Sequence, residues 1–158
     1  MEGAGTKSVD ITTQIEISAP RGAVYDYAVD PDNAPEWYDN ITSMDWVGPA
    51  KMSKSARMKF GAKFLGRALS YTYEVVDLVP GDRLVMRSSD GPFSMETSYK
   101  WETIGATKTR MSLRNRGEPT GFTRLFRPFL QGAMRRANQR DLEKLKTLVE
   151  RRFASEKA

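Results

Sequence analysis

The sequence predicts an α+β domain in which a curved antiparallel sheet of seven strands wraps around one long C-terminal helix. Three observations support this class. Residues 9–18 and most of residues 41–116 alternate apolar with polar side chains, which is typical of half-buried strands. Short turn sequences such as Pro80-Gly81-Asp82 join consecutive strands, so that neighbours in sequence become antiparallel neighbours in space. Residues 121–152 carry apolar side chains at the spacing of an amphipathic helix.

The first part of the chain predicts one strand followed by two short helices. The alternation of residues 9–18 ends at Pro20, which suits the first turn of a helix because its fixed φ is already helical. That helix is predicted over residues 21–29. Asp30-Pro31 ends it, since the residue before a proline is disfavoured in helical conformation. A second short helix is predicted over residues 32–39.

Six further strands are predicted, each alternating in character and separated by glycine, proline or aspartate turns. They span Ile41–Val47, Ala56–Phe64, Arg67–Val79, Arg83–Ser89, Phe93–Glu102 and Thr107–Arg116. The final helix contains Pro128, which lacks a backbone donor and is expected to kink or divide the helix near residues 123–127.

Length and composition indicate one globular domain over residues 1–158, with residues 1–7 expected to form a disordered tail. Apolar residues make up 39% and charged residues 28% of the chain, which is ordinary for a folded domain. No apolar run approaches the roughly 20 residues that a membrane-spanning helix needs. The N-terminal residues lack the apolar segment of a secretory signal, so a cytoplasmic location is expected.

Histidine and cysteine are both absent from the sequence. Their absence removes the usual zinc ligands and the Ser-His and Cys-His nucleophilic systems. We therefore expect no metal and no cofactor. Any catalysis would have to use carboxylates, tyrosine, lysine or arginine, which favours binding over chemistry.

Three segments carry a resemblance to a known superfamily. They are Ile17-x-Ala19-Pro20-x-x-x-Val24-Tyr25-Asp26-Tyr27, Asp30-Pro31-x-Asn33-x-Pro35-Glu36-Trp37 and the strand–turn–strand of residues 74–84. The chain resembles the START/Bet v1-like (SRPBCC) superfamily, and most closely its bacterial polyketide cyclase/dehydrase and lipid-transport branch. The resemblance implies a helix-grip fold that holds an apolar small molecule between sheet and helix. Members of the superfamily bind lipids or ubiquinone, or assist the cyclisation of polyketides.

A ligand-binding cavity is predicted on the concave side of the sheet, because a strongly bent sheet and a single helix leave space between them. Inward positions of the strands and facing positions of the helix are the predicted ligand contacts. They are Phe60, Phe64, Tyr71, Tyr73, Met86, Met95, Thr97, Tyr99, Trp101, Met111, Asn115, Phe126, Phe129 and Ala133. The alternative for each of these residues is core packing without ligand contact.

Candidate catalytic residues are few. Tyr71 and Tyr99 are predicted to present hydroxyl groups to the cavity, and Arg67 and Arg114 near strand ends are possible polarisers of a ligand carbonyl. No pair of carboxylates is predicted to face inward, because the acidic residues of the strands fall on the outer face. The sequence therefore predicts no general base.

Charge is unevenly distributed along the chain. Residues 1–50 carry two basic and nine acidic side chains, whereas residues 121–158 carry ten basic and four acidic ones. The basic residues of the final helix are expected either to be solvated or to make transient contact with an acidic membrane surface. They include Arg124, Arg127, Arg135, Arg136 and Arg140. No nucleic-acid partner is expected, because the aromatic residues are predicted to face inward rather than to form stacking surfaces.

The favoured function is a binding or carrier protein for a hydrophobic or amphipathic molecule of the lipid, quinone or polyketide-like kind. The first alternative is a cofactor-independent polyketide cyclase or dehydratase that uses tyrosine and arginine side chains. The second is a membrane-docking or interaction module that uses the basic helix. The sequence leaves the identity of the ligand and the oligomeric state open.

Overall fold

A seven-stranded antiparallel sheet curves around one long helix in the computed structural model, which describes residues 9–64, 66–88, 94–117 and 127–157. The strands of these stretches are β1 (Val9–Ile17), β2 (Ile41–Trp46), β3 (Arg57–Phe64), β4 (Arg67–Val79), β5 (Arg83–Ser88), β6 (Met95–Gly105) and β7 (Lys108–Gly117). Their spatial order is β1-β7-β6-β5-β4-β3-β2. Among these strands, only β1 leaves the order of a simple meander, since it pairs with β7. The predicted α+β class and the helix-grip arrangement are confirmed.

Helices occupy the connection between β1 and β2 and the C-terminal part of the chain. They are α1 (Arg21–Ala28), a 3₁₀ turn (Pro31–Asn33), α2 (Ala34–Trp37) and α3 (Arg127–Lys157). The second predicted helix is thus a 3₁₀ turn that continues into one turn of α-helix. Its start is fixed by Asp30, whose carboxylate accepts a hydrogen bond from the backbone N–H of Asp32 at 3.0 Å.

The predicted strand ends agree with the structure to within a few residues. The largest difference lies at the β6–β7 hairpin, where β6 continues to Gly105 and pairs there with Lys108. The sequence prediction ends β6 at Glu102. The kink predicted near residues 123–127 lies almost entirely outside the described residues.

The core is concentrated under the C-terminal half of α3. Leu142, Leu145 and Val149 are buried there and belong to the same apolar cluster as Trp101 of β6 and Leu113 of β7. Burying side chains of this size stabilises the fold by about 1.5–3 kcal/mol each. Within the described part of the chain, no helix is long and apolar enough to span a membrane.

The N-terminal half of α3 packs less closely on the sheet. Ala133 is exposed and Ala137 is half-buried, in contrast to the fully buried leucines further along the helix. The leucines further along fill the separation between α3 and the sheet, and an alanine side chain is too short to span it. A space therefore remains between this part of α3 and the sheet.

Candidate functional site: a cavity between the sheet and the C-terminal helix

A cavity of about 390 Å³ occupies the space between the N-terminal half of α3 and the concave face of the sheet. Its walls are formed by β3–β7, by the segment from the end of α1 to the start of β2, and by α3. Met52, in the connection between β2 and β3, also contributes to the wall. The volume falls in the range of about 300–1,000 Å³ that is common for small-molecule sites.

Many of the predicted ligand contacts line this cavity. They are Phe60, Tyr71, Tyr73, Met86, Met95, Thr97, Tyr99, Asn115 and Ala133. The period of two along each strand brings them together, because side chains at alternate positions of neighbouring strands project from the same face of the sheet. Their contact with a ligand remains a prediction.

Trp101 and Met111 lie in the core instead of the cavity wall. Both are 0% exposed, and they are direct partners in the β6–β7 register. The Trp101 ring meets Tyr25 of α1 edge to face, with 5.0 Å between ring centroids. They are inward, as predicted, but this end of the sheet is filled by the leucines of α3 and by α1.

Three further predicted contacts are not described at the level of side chains. Phe126 lies outside the described residues, and the structure describes only the backbone of Phe64 and Phe129.

The two arginines named as candidate carbonyl polarisers are not part of the cavity wall. Arg114 projects from the convex face, because its neighbours Leu113 and Asn115 face inward. Its guanidinium forms two hydrogen bonds with the carboxylate of Asp10, at 2.8 and 2.7 Å. Arg67 is exposed at the start of β4. The prediction relied on nearness to strand ends, and side-chain alternation directs Arg114 away from the site.

Tyrosine hydroxyls form the first polar contact in the cavity. The hydroxyl oxygens of Tyr38 and Tyr99 are 2.5 Å apart and share a hydrogen bond. Burial raises the pKa of both phenols above the ordinary value, and Asp141 raises both pKa values further through its negative charge. Both tyrosines therefore stay protonated and serve as neutral donors and acceptors.

A second polar contact lies across β6 and β7. The hydroxyl of Thr97 donates to the side-chain oxygen of Asn115 at 2.6 Å, and both side chains are buried. Tyr73 lies beside them, with its hydroxyl oxygen 3.5 Å from that of Thr97. The cavity thus combines apolar walls with a small number of neutral hydrogen-bonding groups.

Asp141 of α3 is one of the site residues that the sequence prediction missed, together with Tyr38 and Asn138. Its side chain is 2% exposed, lines the cavity and accepts a hydrogen bond from the backbone N–H of Asp39 at 3.1 Å. Burial raises the pKa of its carboxyl to about 6, and the nearby charge of Asp39 acts in the same direction. One signal was present in the sequence: Ala133, Ala137 and Asp141 recur every four residues and therefore share one helix face.

Asn138 stands one turn before Asp141 and also lines the cavity. It is 6% exposed, and its side-chain nitrogen has no hydrogen-bond partner among the described residues. A buried amide without a partner costs free energy, so this position is uncommon in a closed core. Its spacing of four residues from both Met134 and Leu142 indicates the inner face of the helix, a signal that the sequence prediction does not use.

The cavity opens to solvent where α3 passes the loop between α2 and β2. Asp39, Asn40 and Arg140 border it there and are exposed. The ammonium group of Lys144 lies 3.3 Å from the carboxylate of Asp39, so this rim carries one ion pair between helix and loop. Among the described residues, no group of three acidic side chains is placed to hold a metal ion.

Several solved structures share this fold. The Zhui aromatase/cyclase from Streptomyces sp. R1128 superposes with a TM-score of 0.78 at 15% identity, over 92% of this chain and 95% of that one. The protein TTHA0849 from Thermus thermophilus gives a TM-score of 0.77 at 22% identity, over 89% and 96%. A START superfamily protein from Mycobacterium smegmatis gives 0.67 at 14% identity, over 92% and 97%. At these identities the likeness shows the fold alone.

Sequence comparison identifies the family. No curated protein matches the chain significantly. The sequence profile described as polyketide cyclase/dehydrase and lipid transport matches residues 8–150, which covers every described strand and most of α3. The chain therefore belongs to the polyketide cyclase/dehydrase and lipid-transport family, within the START/Bet v1-like superfamily.

Proposed function

We propose that this protein binds a hydrophobic or amphipathic small molecule in the cavity and acts as its carrier. The observation that supports the proposal is the cavity of about 390 Å³ itself, which has methionine, aromatic and alanine side chains on most of its wall. Burying an apolar ligand against such a wall is favourable by about 25 cal/mol for each Å² removed from water. The flexible thioethers of Met52, Met86 and Met95 adapt to different ligand shapes.

The polar groups of the cavity favour a ligand that carries oxygen. One of the two hydrogen-bonded hydroxyls of Tyr38 and Tyr99 is free to donate to a ligand carbonyl, and their oxygens can accept from a ligand hydroxyl. Asn138 supplies an amide, and Asp141 supplies a carboxyl group that is neutral below about pH 6. A lipid, a quinone or a polyketide-like compound has the required combination of apolar surface and isolated oxygen atoms.

Binding is tested by filling the cavity from the helix side. Ala137 lines the cavity and Ala154 is exposed further along the same helix. Ala137→Phe should lower the affinity for the fluorescent probe 1-aminoanthracene at least tenfold, whereas Ala154→Phe should leave it unchanged. Probe titration gives the affinities, and circular dichroism verifies that both variants are folded. Failure of the wild-type protein to bind the probe, or to retain any small molecule in native mass spectrometry, would contradict the proposal.

A second candidate function is catalysis, and Asp141 is the observation that favours it. A buried carboxylate with a pKa of about 6 is a stronger base than an exposed one and titrates near neutral pH. It lies in the same cavity as two neutral phenols that are hydrogen-bonded to each other, so that one of them keeps its O–H free to donate to a ligand oxygen. This combination suits removal of a proton next to a ketone, with Asp141 taking the proton and a tyrosine hydroxyl stabilising the enolate oxygen.

Proton exchange separates catalysis from simple binding. 2-Tetralone in D₂O exchanges its α-protons for deuterium, and NMR follows the rate. An enzyme should accelerate this exchange, and Asp141→Asn should abolish the acceleration without abolishing binding. The control is Glu74→Gln, which removes a carboxylate from the convex face. If the wild-type protein binds 2-tetralone tightly but does not accelerate the exchange, catalysis is contradicted and only the carrier function remains.

A further inference from the structure

Three basic residues of α3 form a row beside the opening of the cavity. Arg136, Arg140 and Lys144 recur every four residues, so that they lie on one face of the helix. All three are exposed, and Arg140 borders the cavity. We call Arg136, Arg140 and Lys144 the basic row.

The arginines of the basic row differ from those on the convex face of the sheet. On that face Arg114 pairs with Asp10, and both Arg87 and Arg116 pair with Glu96. Arg136 and Arg140 form no ion pair with any residue among the described stretches. Two positive charges of α3, one of them on the cavity rim, therefore lack the ion-pair partners that these three arginines of the sheet have.

Helix stability does not account for this placement. Residues 127–140 contain four arginines and no acidic residue, and the first turn of the described helix has none either. The helix dipole acts mainly within the first and last turns and does not extend to Arg136 or Arg140. Like charges spaced four residues apart, as in the basic row, are unfavourable on a helix, and this cost is offset when an anionic surface lies opposite them.

We propose that the basic row docks the protein on an acidic phospholipid membrane, with the opening of the cavity facing the bilayer. The argument for this occupant is the position of the charges. An apolar ligand leaves its cavity most easily into an apolar phase, and a bilayer offers that phase directly behind a layer of anionic phosphates. The direction of the opening rests on the proposed binding function; the docking itself rests on the basic row alone.

The acidic residues near the opening offset only part of the positive charge there. Asp39 is paired with Lys144, and Asp141, whose pKa burial raises to about 6, is ionised at neutral pH and attracts both Arg140 and Lys144. Asp30 also borders the cavity, and its carboxylate caps the 3₁₀ turn. Lys63 is exposed and borders the cavity as well, so four basic residues stand against three acidic ones.

Vesicle binding by the full chain tests the proposal without any ligand. The probes are vesicles of phosphatidylcholine alone and vesicles with about 30% phosphatidylglycerol. We expect binding to the acidic vesicles only, and its loss in about 0.5 M NaCl. Each basic residue near such a surface contributes about fivefold in affinity, so Arg136→Gln/Arg140→Gln should weaken binding roughly 30-fold.

Two further variants make the result specific. Lys59→Gln/Lys100→Gln removes the same amount of charge from exposed positions of the convex face and should retain wild-type affinity to within about threefold, because those groups point away from the bilayer. Arg136→Lys/Arg140→Lys keeps the charge and should retain binding. Glutamine and arginine are similarly good helix formers, so the fold is expected to survive.

The proposal is overturned if acidic and neutral vesicles bind equally, or if the convex-face pair weakens binding as much as the α3 pair. Salt-sensitive association with an acidic protein combined with indifference to acidic vesicles would also overturn it. Probe binding in solution is measured separately. If the wild-type protein binds acidic vesicles but not the probe, the carrier function is contradicted. If it binds the probe but not acidic vesicles, only the docking is contradicted.

Discussion

The buried carboxylate of Asp141 accepts a hydrogen bond from the backbone N–H of Asp39 at 3.1 Å, which connects α3 to the loop leading into β2. The residues are 102 positions apart in sequence, and both border the cavity. Lys144 adds an ion pair to Asp39 one turn further along α3. The protonation state of one buried acid therefore affects both the wall of the cavity and its rim.

The pH dependence of stability should carry the signature of Asp141. Its pKa is about 6 in the folded protein, mainly because of burial, against an ordinary value of 3.8. The folded state holds the proton more tightly than the unfolded state, so this group's contribution to stability is fully present below about pH 4. It is lost as the pH rises to about 6, with a total change on the order of 3 kcal/mol.

Asp141→Asn removes this titration and should be the more stable protein at pH 7, because the amide oxygen still accepts from Asp39 without a buried charge. The measurement is urea unfolding of both proteins between pH 4 and pH 7. The difference in unfolding free energy should grow with pH and level off above about pH 6. A constant difference over this range would show that Asp141 titrates as an exposed carboxylate.

The hydroxyl pair of Tyr38 and Tyr99 should be energetically coupled. Tyr38→Phe leaves the buried hydroxyl of Tyr99 without its partner, and the reverse substitution does the same for Tyr38. Each single change should cost about 1–2 kcal/mol of unfolding free energy, whereas the double change should cost less than the sum of the two. Additive costs in the double-mutant cycle would mean that the hydroxyls do not depend on each other.

Most of the fold was predictable because local patterns determine it directly. Alternation along the strands placed Phe60, Met86 and Tyr99 on the concave face, and the Asp30-Pro31 pair ended α1 where a break was expected. Ala133 was also assigned correctly to the side of α3 that faces the sheet. These assignments need only the period of each element and the turn residues between them.

The polar part of the cavity was harder to predict because it depends on tertiary position. Asp141 reads as one charge among many on a basic amphipathic helix, and its burial follows from how far α3 stands from the sheet. The prediction that Arg114 faces the cavity is wrong for a different reason. Nearness to a strand end does not determine the face of the sheet from which a side chain projects. Trp101 was correctly assigned inward, but alternation alone does not distinguish a cavity wall from a filled core.

Trp101 and Met86 should therefore respond differently to substitution. Trp101 is fully buried outside the cavity wall, so Trp101→Leu should lower the unfolding free energy by about 2 kcal/mol or more and leave the affinity for 1-aminoanthracene nearly unchanged. Met86 lines the cavity, so Met86→Ala should alter that affinity severalfold. Unfolding curves and probe titrations of the two variants test this. A large loss of affinity in folded Trp101→Leu would mean that the ligand extends beyond the cavity and contacts Trp101.

The pair of Arg114 and Asp10 should matter little to ligand binding, because it lies on the convex face. Both side chains are close to half exposed, at 44% and 45%, and exposed ion pairs contribute about 0–1 kcal/mol to stability. Arg114→Gln should lower the unfolding free energy by no more than this amount and leave probe affinity and ketone exchange unchanged.

The pH dependence of the Arg114→Gln variant provides an internal check on this pair. Hydrogen bonding to Arg114 lowers the pKa of Asp10, so the pair's contribution is present above the ordinary pKa of aspartate and lost as the pH falls. The stability advantage of wild type over Arg114→Gln should therefore shrink as the pH falls. The Asp141 effect has the opposite sign, because acidification stabilises the wild type through that group. Asp10→Asn should give a curve of the same shape, since it removes the carboxylate whose pKa Arg114 lowers, although the amide oxygen can still accept one of the two hydrogen bonds. Loss of ketone exchange in Arg114→Gln would instead assign this arginine a role in the reaction, in conflict with its place on the convex face.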